Sequence, residues 1–206
     1  SGRAMTAHHA LLITNVIDIE QSPDAGDPGP LAADDADVLG QLQAIYRRLD
    51  SAPVLESHLE LSQALDDLHS RFGQGQIKLQ QRALGEKVYY AALRRLQPML
   101  KPANREHREL IDSLGVKLAD KVFCNLSIFQ SLPDVWAIDQ IFPIVPLQRL
   151  DEQPLRHARI EDLTCDSDGR IDFYVTGDGL ENSLPLHAAT AEEGYLLGFF
   201  MVGAYQ

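Results

Sequence analysis

One short segment of the chain combines side chains that could do chemistry. The string TCDSDG at positions 164–169 brings the thiol of Cys165 together with the carboxylates of Asp166 and Asp168. Asp, Ser and Gly favour tight turns, and the segments 156–163 and 171–175 on either side are predicted strands. The residues alone leave open a plain Asx-turn that closes a hairpin, or a calcium loop. Calcium is the weaker alternative, because the later ligands and the terminal Glu of an EF-hand are missing.

The two cysteines are not spaced for a zinc cage or a disulfide framework. Cys124 and Cys165 lie 41 positions apart and form no CxxC pair. Cys124 alternates with apolar neighbours, which predicts a small buried side chain. We identify no metal ligands in the sequence, and this cysteine usage is typical of a reducing cytoplasm.

A helical block follows the acidic residues Asp34 and Asp35, which suit a helix N-terminus. Apolar residues then recur with a helical period, and the connections between the periodic runs are short. This pattern is typical of a helical bundle. The predicted helices cover residues 38–49, 61–72, 77–97 and about 104–119.

Predicted strands lie on both sides of that block. Residues 10–19 are rich in β-branched side chains, and a period of two from Val122 to Phe129 predicts another strand. Residues 196–205 form a buried strand candidate. A segment rich in Pro and Gly at 21–30 is a predicted loop and domain boundary. Strand elements therefore bracket an inserted helical block.

Composition limits the function classes. The chain has 206 residues, 45% of them hydrophobic, which is enough to bury a core. A net charge of −12 would repel phosphate backbones, so we expect no nucleic-acid partner. The apolar stretches are shorter than the roughly 20 residues that cross a bilayer, so we expect no membrane partner. Both ends look like cuts through a longer protein.

Four stretches, in order and spread over nearly the whole chain, resemble the biosynthetic arginine decarboxylase family. They read SGRAMTAHHA at 1–10, FQSLPDVWAIDQ at 129–140, TCDSDG at 164–169 and GFFMVGAYQ at 198–206. The resemblance implies the alanine-racemase-like class of PLP enzymes, which pairs a TIM barrel with a C-terminal β domain. It predicts an α+β fold in which a β-barrel or sandwich-like domain carries an inserted helical bundle. The implied domains are the end of the barrel with the first β strand at 1–30, the helical insert at 31–118 and an incomplete β domain at 119–206.

The resemblance also assigns the cofactor pyridoxal 5'-phosphate to both ends of the chain. Gly2 and Arg3 match the Gly and Arg that hold the PLP phosphate, which suits an exposed backbone amide and a forked guanidinium. The Tyr205 hydroxyl matches a further phosphate contact. The resemblance raises Mg²⁺ as well, for which we identify no ligands. No lysine is a credible Schiff-base residue, so we expect the chain alone to be inactive; the lysines are Lys78, Lys87, Lys101, Lys117 and Lys121.

The Cys-Asp pair of the loop matches residues that enter the active site of the partner subunit in the family. Cys165 would protonate the carbon that loses CO₂. Asp166 would pair with the substrate guanidinium through two parallel hydrogen bonds, and Asp168 is a further substrate-binding candidate. Where related ornithine decarboxylases carry an Asp, this chain has Leu126. The resemblance therefore gives no residue-level account of how arginine is selected over ornithine.

The implied function is a carboxy-lyase that converts arginine to agmatine and CO₂ in polyamine and spermidine biosynthesis. The implied assembly is a cytoplasmic homo-oligomer, a dimer or a dimer of dimers, with an active site shared between subunits. Two alternatives from other classes stay open. The helical block could be an oligomerisation module, and the chain could be a non-catalytic module that binds small basic ligands.

Overall fold

The chain folds into two compact units. The computed structural model describes residues 9–23, 26, 29, 37–165, 169–177 and 179–203. One unit combines Ser1–Ser22 with Gly115–Gln206, and the other is the continuous segment Pro23–Leu114. The second unit therefore interrupts the first in sequence.

The helical unit is built around three helices that pack on one another, α1, α2 and α3. Leucines at helical spacing form its core, and Leu39, Leu68 and Leu93 are fully buried. A fourth helix, α4, ends the block. The helices are α1 Asp37–Arg48, α2 Val54–Gly73, α3 Leu79–Leu96 and α4 Arg105–Lys117. The four helices predicted from the sequence are confirmed.

Gly85 allows α3 to lie close to its two neighbours. A Cβ at this position would come within 2.5 Å of a Leu68 methyl carbon on α2 and within 3.0 Å of Leu39 on α1. Both leucines are fully buried. The missing side chain is therefore what permits the close approach at the centre of this unit.

The other unit is a mixed sheet with a separate two-stranded ribbon. The six strands of the sheet follow the order β3-β8-β1-β2-β4-β7, and β5 pairs with β6. All neighbours are antiparallel except β2 and β4. The strands are β1 Leu11–Glu20, β2 Asp120–Cys124, β3 Ile144–Pro146, β4 Arg156–Glu161, β5 Tyr174–Thr176, β6 Gly179–Glu181, β7 Leu184–Leu186 and β8 Leu196–Phe200. The predicted α+β fold, with strands on both sides of a helical block, is confirmed.

An ion pair between a buried Asp and a partly buried Arg lies at the start of the parallel pair β2 and β4. The Arg156 guanidinium of β4 donates to both carboxylate oxygens of Asp120 on β2, each at 2.6 Å. The Ser22 N–H donates to the same carboxylate at 2.9 Å. Only 5% of Asp120 is exposed. This bidentate contact fixes the register between β2 and β4, because a charge here is stabilised only by a well-placed partner.

The prediction that the strand after Asp120 continues to Phe129 is wrong. Strand β2 ends at Cys124, and two short helices follow, α5 at Ile128–Ser131 and α6 at Pro133–Ile138. The backbone of Asn125 still bonds to Asn15 of β1, with its N–H 3.0 Å from the Asn15 carbonyl. The chain then turns away because the N–H of Ile128 is taken by a side chain, that of Asp162.

Candidate functional site

The loop that carries Cys165 leaves the end of β4 and is closed at its base by backbone contacts. Glu161 and Arg170 form an isolated antiparallel bridge. One step further along, the Asp162 N–H donates to the Gly169 carbonyl at 2.7 Å. Cys165 lies between these anchors and is exposed. Cys165 therefore presents its thiol to the surroundings next to a base that these backbone contacts fix.

The Asp162 carboxylate organises the first half of this loop. It accepts hydrogen bonds from the Thr164 N–H at 2.7 Å and from the Thr164 hydroxyl at 2.5 Å. An Asp that bonds to the backbone two residues later is an Asx-turn. The same carboxylate accepts the Ile128 N–H at 2.7 Å, at the first residue of α5. One side chain thus joins the loop to the segment after β2.

A backbone contact and a glycine support the same junction. The Leu163 N–H donates to the Leu126 carbonyl at 3.2 Å. On the other side, a Cβ at Gly169 would overlap the Asp162 carboxylate. Gly169 is therefore required for the close approach of the loop backbone to this carboxylate.

The two thiols of the chain differ sharply in their surroundings. Cys124 at the end of β2 is fully buried, as predicted, and burial raises the pKa of its thiol to about 11. Cys165 is exposed. Because proton transfer and alkylation need an accessible sulfur, Cys165 is the thiol that can act on a ligand.

A charged pocket lies directly after the loop. Its volume is about 180 Å³, and Trp136, Arg170, Asp172 and Phe173 are among the residues that line it. Asp172 accepts from the Arg170 guanidinium at 2.9 Å and from that of Arg159 at 3.1 Å. These two contacts offset the negative charge of Asp172, and the pocket combines charged side chains with the aromatic rings of Trp136 and Phe173.

The charges of Arg159, Arg170 and Asp172 also act on the Glu161 carboxyl. Burial raises the pKa of its carboxyl, and the Arg159 guanidinium opposes that rise. The two charges are 3.9 Å apart. Glu161 is therefore a partly buried carboxyl at the base of the loop, and the positive charge of Arg159 on the same strand favours its ionised form.

Known proteins resemble this chain over its whole length. The sequence model of a protein family, the arginine decarboxylase helical bundle domain, matches residues 32–115. The biosynthetic arginine decarboxylase of Alkalilimnicola ehrlichii is 51% identical over 208 residues, which cover 100% of this chain and 33% of that protein. That of Pseudomonas aeruginosa is 46% identical over 206 residues, covering 100% of this chain and 32% of the relative.

A solved structure shows the same likeness. The crystal structure of the biosynthetic arginine decarboxylase from Campylobacter jejuni matches with a TM-score of 0.73 and 33% sequence identity. The match covers 99% of this chain and 31% of that one. This chain is a homologue of a segment of the biosynthetic arginine decarboxylases. It spans about a third of the length of the curated relatives that it matches.

The matched arginine decarboxylase bundle coincides with the helical unit. The match covers residues 32–115 and the unit covers Pro23–Leu114. The eight described strands, β1 to β8, belong to the other unit, as does Cys165. The candidate thiol and the helical bundle are therefore parts of different units.

The structure describes one of the six residues predicted for the site. Cys165 is described and exposed. The other five lie outside the described residues, and their roles stay predictions; they are Gly2, Arg3, Asp166, Asp168 and Tyr205. Among the residues that the structure does describe, no group of three or more His, Cys, Asp or Glu side chains is arranged to hold a metal ion. The described helices also include none that is both long and apolar enough to span a membrane.

Sequence reasoning missed Asp162 and its partners. The Asp at 162 is itself a signal for an Asx-turn, because an Asp side chain readily accepts the backbone N–H two residues later. The contact with Ile128 has no comparable signal, because 34 positions separate it from Asp162. The Asx-turn at Asp162 was therefore predictable from the sequence, whereas the contact with Ile128 was not.

Proposed function

We propose that the complete protein to which this chain belongs is a pyridoxal-phosphate-dependent arginine decarboxylase. It converts arginine to agmatine and CO₂ in polyamine biosynthesis in the cytoplasm. The observation that carries the proposal is the identity of 46–51% along the entire chain to relatives named biosynthetic arginine decarboxylase. Bound PLP supplies the electron sink for the loss of CO₂, and the residues of this chain supply binding and a proton.

Cys165 is proposed to donate its thiol proton to the carbon that has lost CO₂. A proton donor must reach the reacting atom directly or through one water. The exposure of Cys165 supports this role. In the proposed homo-oligomer, the loop enters the active site of a second subunit. That arrangement would give the exposed thiol a substrate that its own subunit does not hold.

The remaining assignments complete the proposed site. Asp166 pairs with the substrate guanidinium, since a carboxylate and a guanidinium can form two parallel hydrogen bonds, and Asp168 adds a second carboxylate. Gly2, Arg3 and Tyr205 contact the PLP phosphate through an amide, a guanidinium and a hydroxyl. Mg²⁺ is retained as a second cofactor without assigned ligands.

The test is turnover of carboxyl-labelled arginine by the complete enzyme and by its Cys165→Ala variant. We expect labelled CO₂ and agmatine from the unaltered enzyme. The variant should lose about 10²–10⁴-fold in kcat, the range for removal of a positioned acid, with a smaller change in KM. The matched control is Cys124→Ala, which removes a sulfur from the core and should leave kcat within about twofold.

Two results would contradict the proposal at different points. An unaltered enzyme that releases no CO₂ from arginine, but does so from lysine or ornithine, would overturn the substrate. A Cys165→Ala enzyme that keeps the full kcat would overturn the proton-donor role and leave the substrate assignment intact.

A further inference from the structure

The Asp162 side chain has more partners than a loop-forming Asp needs. Asp162 is 5% exposed, and its carboxylate accepts three hydrogen bonds. The donors are neutral, two backbone N–H groups and one hydroxyl, and they come from two segments far apart in sequence. A buried charge satisfied in this way is fixed in direction, because moving it would leave several donors without an acceptor at once.

Two of the three bonds fix the residue directly before Cys165. The Thr164 N–H lies 2.7 Å from one carboxylate oxygen, and its hydroxyl lies 2.5 Å from the other. Both the backbone and the side chain of Thr164 are therefore hydrogen-bonded to Asp162. Since consecutive Cα atoms are about 3.8 Å apart, the start of Cys165 is fixed with it.

The third bond ties this loop to the chain that follows β2. Ile128 donates its N–H to Asp162 at 2.7 Å, and its own side chain is fully buried. A second link runs in parallel, from the Leu163 N–H to the Leu126 carbonyl at 3.2 Å. The anchor point of the Cys165 loop is thus part of the core and not of the loop.

The far end of the loop is held against the same residue. The Asp162 N–H donates to the Gly169 carbonyl at 2.7 Å. The absence of a side chain at Gly169 leaves room for the carboxylate. Asp162 therefore contacts the loop at its entry and at its exit, through its side chain and its backbone.

From this geometry we infer that Asp162 is a positioning residue for Cys165. It sets where the thiol stands relative to the substrate and does not itself touch the substrate. The inference rests on the proposed function of Cys165 as proton donor. It predicts that disturbing the Asp162 contacts, with Cys165 unaltered, misplaces the proton donor in a site where a shift of about 1 Å can cost about 100-fold in rate.

The test uses the complete enzyme and two variants in which Asp162 itself is not substituted. Thr164→Val removes the hydroxyl bond, and its matched control is Thr176→Val, which removes a hydroxyl from the end of β5. Gly169→Ala pushes on the carboxylate, and its matched control is Gly177→Ala, where a Cβ meets no atom within 4 Å. Asp162→Asn is added as the direct change, with one acceptor oxygen in place of two.

Four quantities are measured on each variant. They are kcat and KM for arginine, the thermal unfolding midpoint, and the stereochemical purity of deuterium at the former carboxyl-bearing carbon when turnover occurs in D₂O. In that reaction CO₂ leaves and a deuteron from the exchanged thiol takes its place on the carbon. A donor held on one side gives one stereoisomer, whereas a misplaced donor lets solvent compete and gives a mixture.

We expect Thr164→Val and Gly169→Ala to lower kcat about 10–100-fold, with KM within about twofold and with loss of stereochemical purity. Both control variants should match the unaltered enzyme. Thr164→Ser, which restores the hydroxyl, should recover kcat and purity. Asp162→Asn should show the largest loss if it folds, and the two milder variants carry the test if it does not.

Failure of this inference is distinguishable from failure of the proposed function. If Cys165→Ala lowers kcat and purity while Thr164→Val and Gly169→Ala leave both unchanged, Asp162 does not position the donor and the role of Cys165 stands. If Thr164→Ser recovers nothing, the effect of Thr164→Val comes from packing and the inference is wrong. If Cys165→Ala has no effect, the proposed role of Cys165 fails first.

Discussion

Two buried aspartates of the β unit are stabilised in different ways. Asp120 is paired with the Arg156 guanidinium and also accepts the Ser22 N–H. Asp162 is held by neutral donors. Removing the partner of Asp120 leaves an unpaired buried charge, which is costly. Removing one donor from Asp162 leaves the carboxylate with others and mainly changes its direction.

We therefore expect Arg156→Met to lower the free energy of unfolding by about 3 kcal/mol, the low end of the range for breaking a buried ion pair. The measurement is the urea midpoint followed by circular dichroism. The control is Lys121→Met, which removes the neighbouring exposed ion pair with Glu20 at 2.9 Å and should cost at most about 1 kcal/mol. Equal losses in the two variants would show that the Asp120 pair is not specially important.

At the residue scale, the sequence predicted side chains that act locally. Cys124 was expected to be a small buried residue because it lies in a segment that alternates with a period of two among apolar neighbours, and it is buried. Asp, Ser and Gly predicted a turn at 164–169, and the structure describes its base, where the Asp162 N–H donates to the Gly169 carbonyl. Asp162 was overlooked because its importance depends on Ile128, and a contact across 34 positions leaves no local pattern.

Helix and strand positions followed the sequence wherever a period continued over several turns or pairs. The helices of the bundle are of this kind. The region after Cys124 is not, since alternation continues to Phe129 while the strand stops at Cys124. A hydrogen bond from Ile128 to Asp162 replaces the next sheet contact there. The apolar alternation from Val122 to Phe129 is too short to extend the strand against this tertiary hydrogen bond.

Gly85 gives a prediction at the scale of helix packing. Alanine usually stabilises a helix by about 1 kcal/mol relative to glycine. At Gly85 the added Cβ would crowd Leu68 and Leu39, and overpacking costs about 1–3 kcal/mol. We expect Gly85→Ala to destabilise the helical unit, measured as faster amide hydrogen exchange along α3.

The control for this change is Gly40→Ala on α1. A Cβ at Gly40 meets no atom within 4 Å, so only the gain in helix propensity remains, and stability should rise by up to about 1 kcal/mol. Opposite signs for the two alanines are expected. A stabilising Gly85→Ala would mean that α1, α2 and α3 can move apart without cost.

At the scale of the whole molecule, the sequence predicted that the helical block interrupts a β domain, since strand patterns lie on both sides of it. The structure shows two units in which the sheet unit is discontinuous in sequence. The strand order was not predictable. Strand β8 lies between β1 and β3, and the parallel pair β2 and β4 lies beside β1. Such pairings depend on contacts between distant segments, which a single sequence does not display.

The two thiols report on the state of the sheet unit. In the complete protein without substrate, we expect iodoacetamide to modify Cys165 at least about 100-fold faster than Cys124, because Cys124 is buried and its thiol pKa is raised to about 11. Peptide mapping by mass spectrometry gives both rates. In urea above the unfolding transition the rates should converge. Rapid modification of Cys124 under native conditions would contradict the burial described for β2.

The position of β1 in the sheet also has a consequence during synthesis. It pairs with β2 on one side and with β8 on the other, yet about 100 residues separate it from β2 and about 180 from β8. At roughly 5–20 residues per second, β1 leaves the ribosome roughly 5–20 s before its first partner exists. The helical unit is completed in that interval and can fold on its local contacts. Strand β1 exposes Leu11, Ile13 and Ile17 even in the finished sheet. It is therefore a segment of the nascent chain that needs protection from premature association.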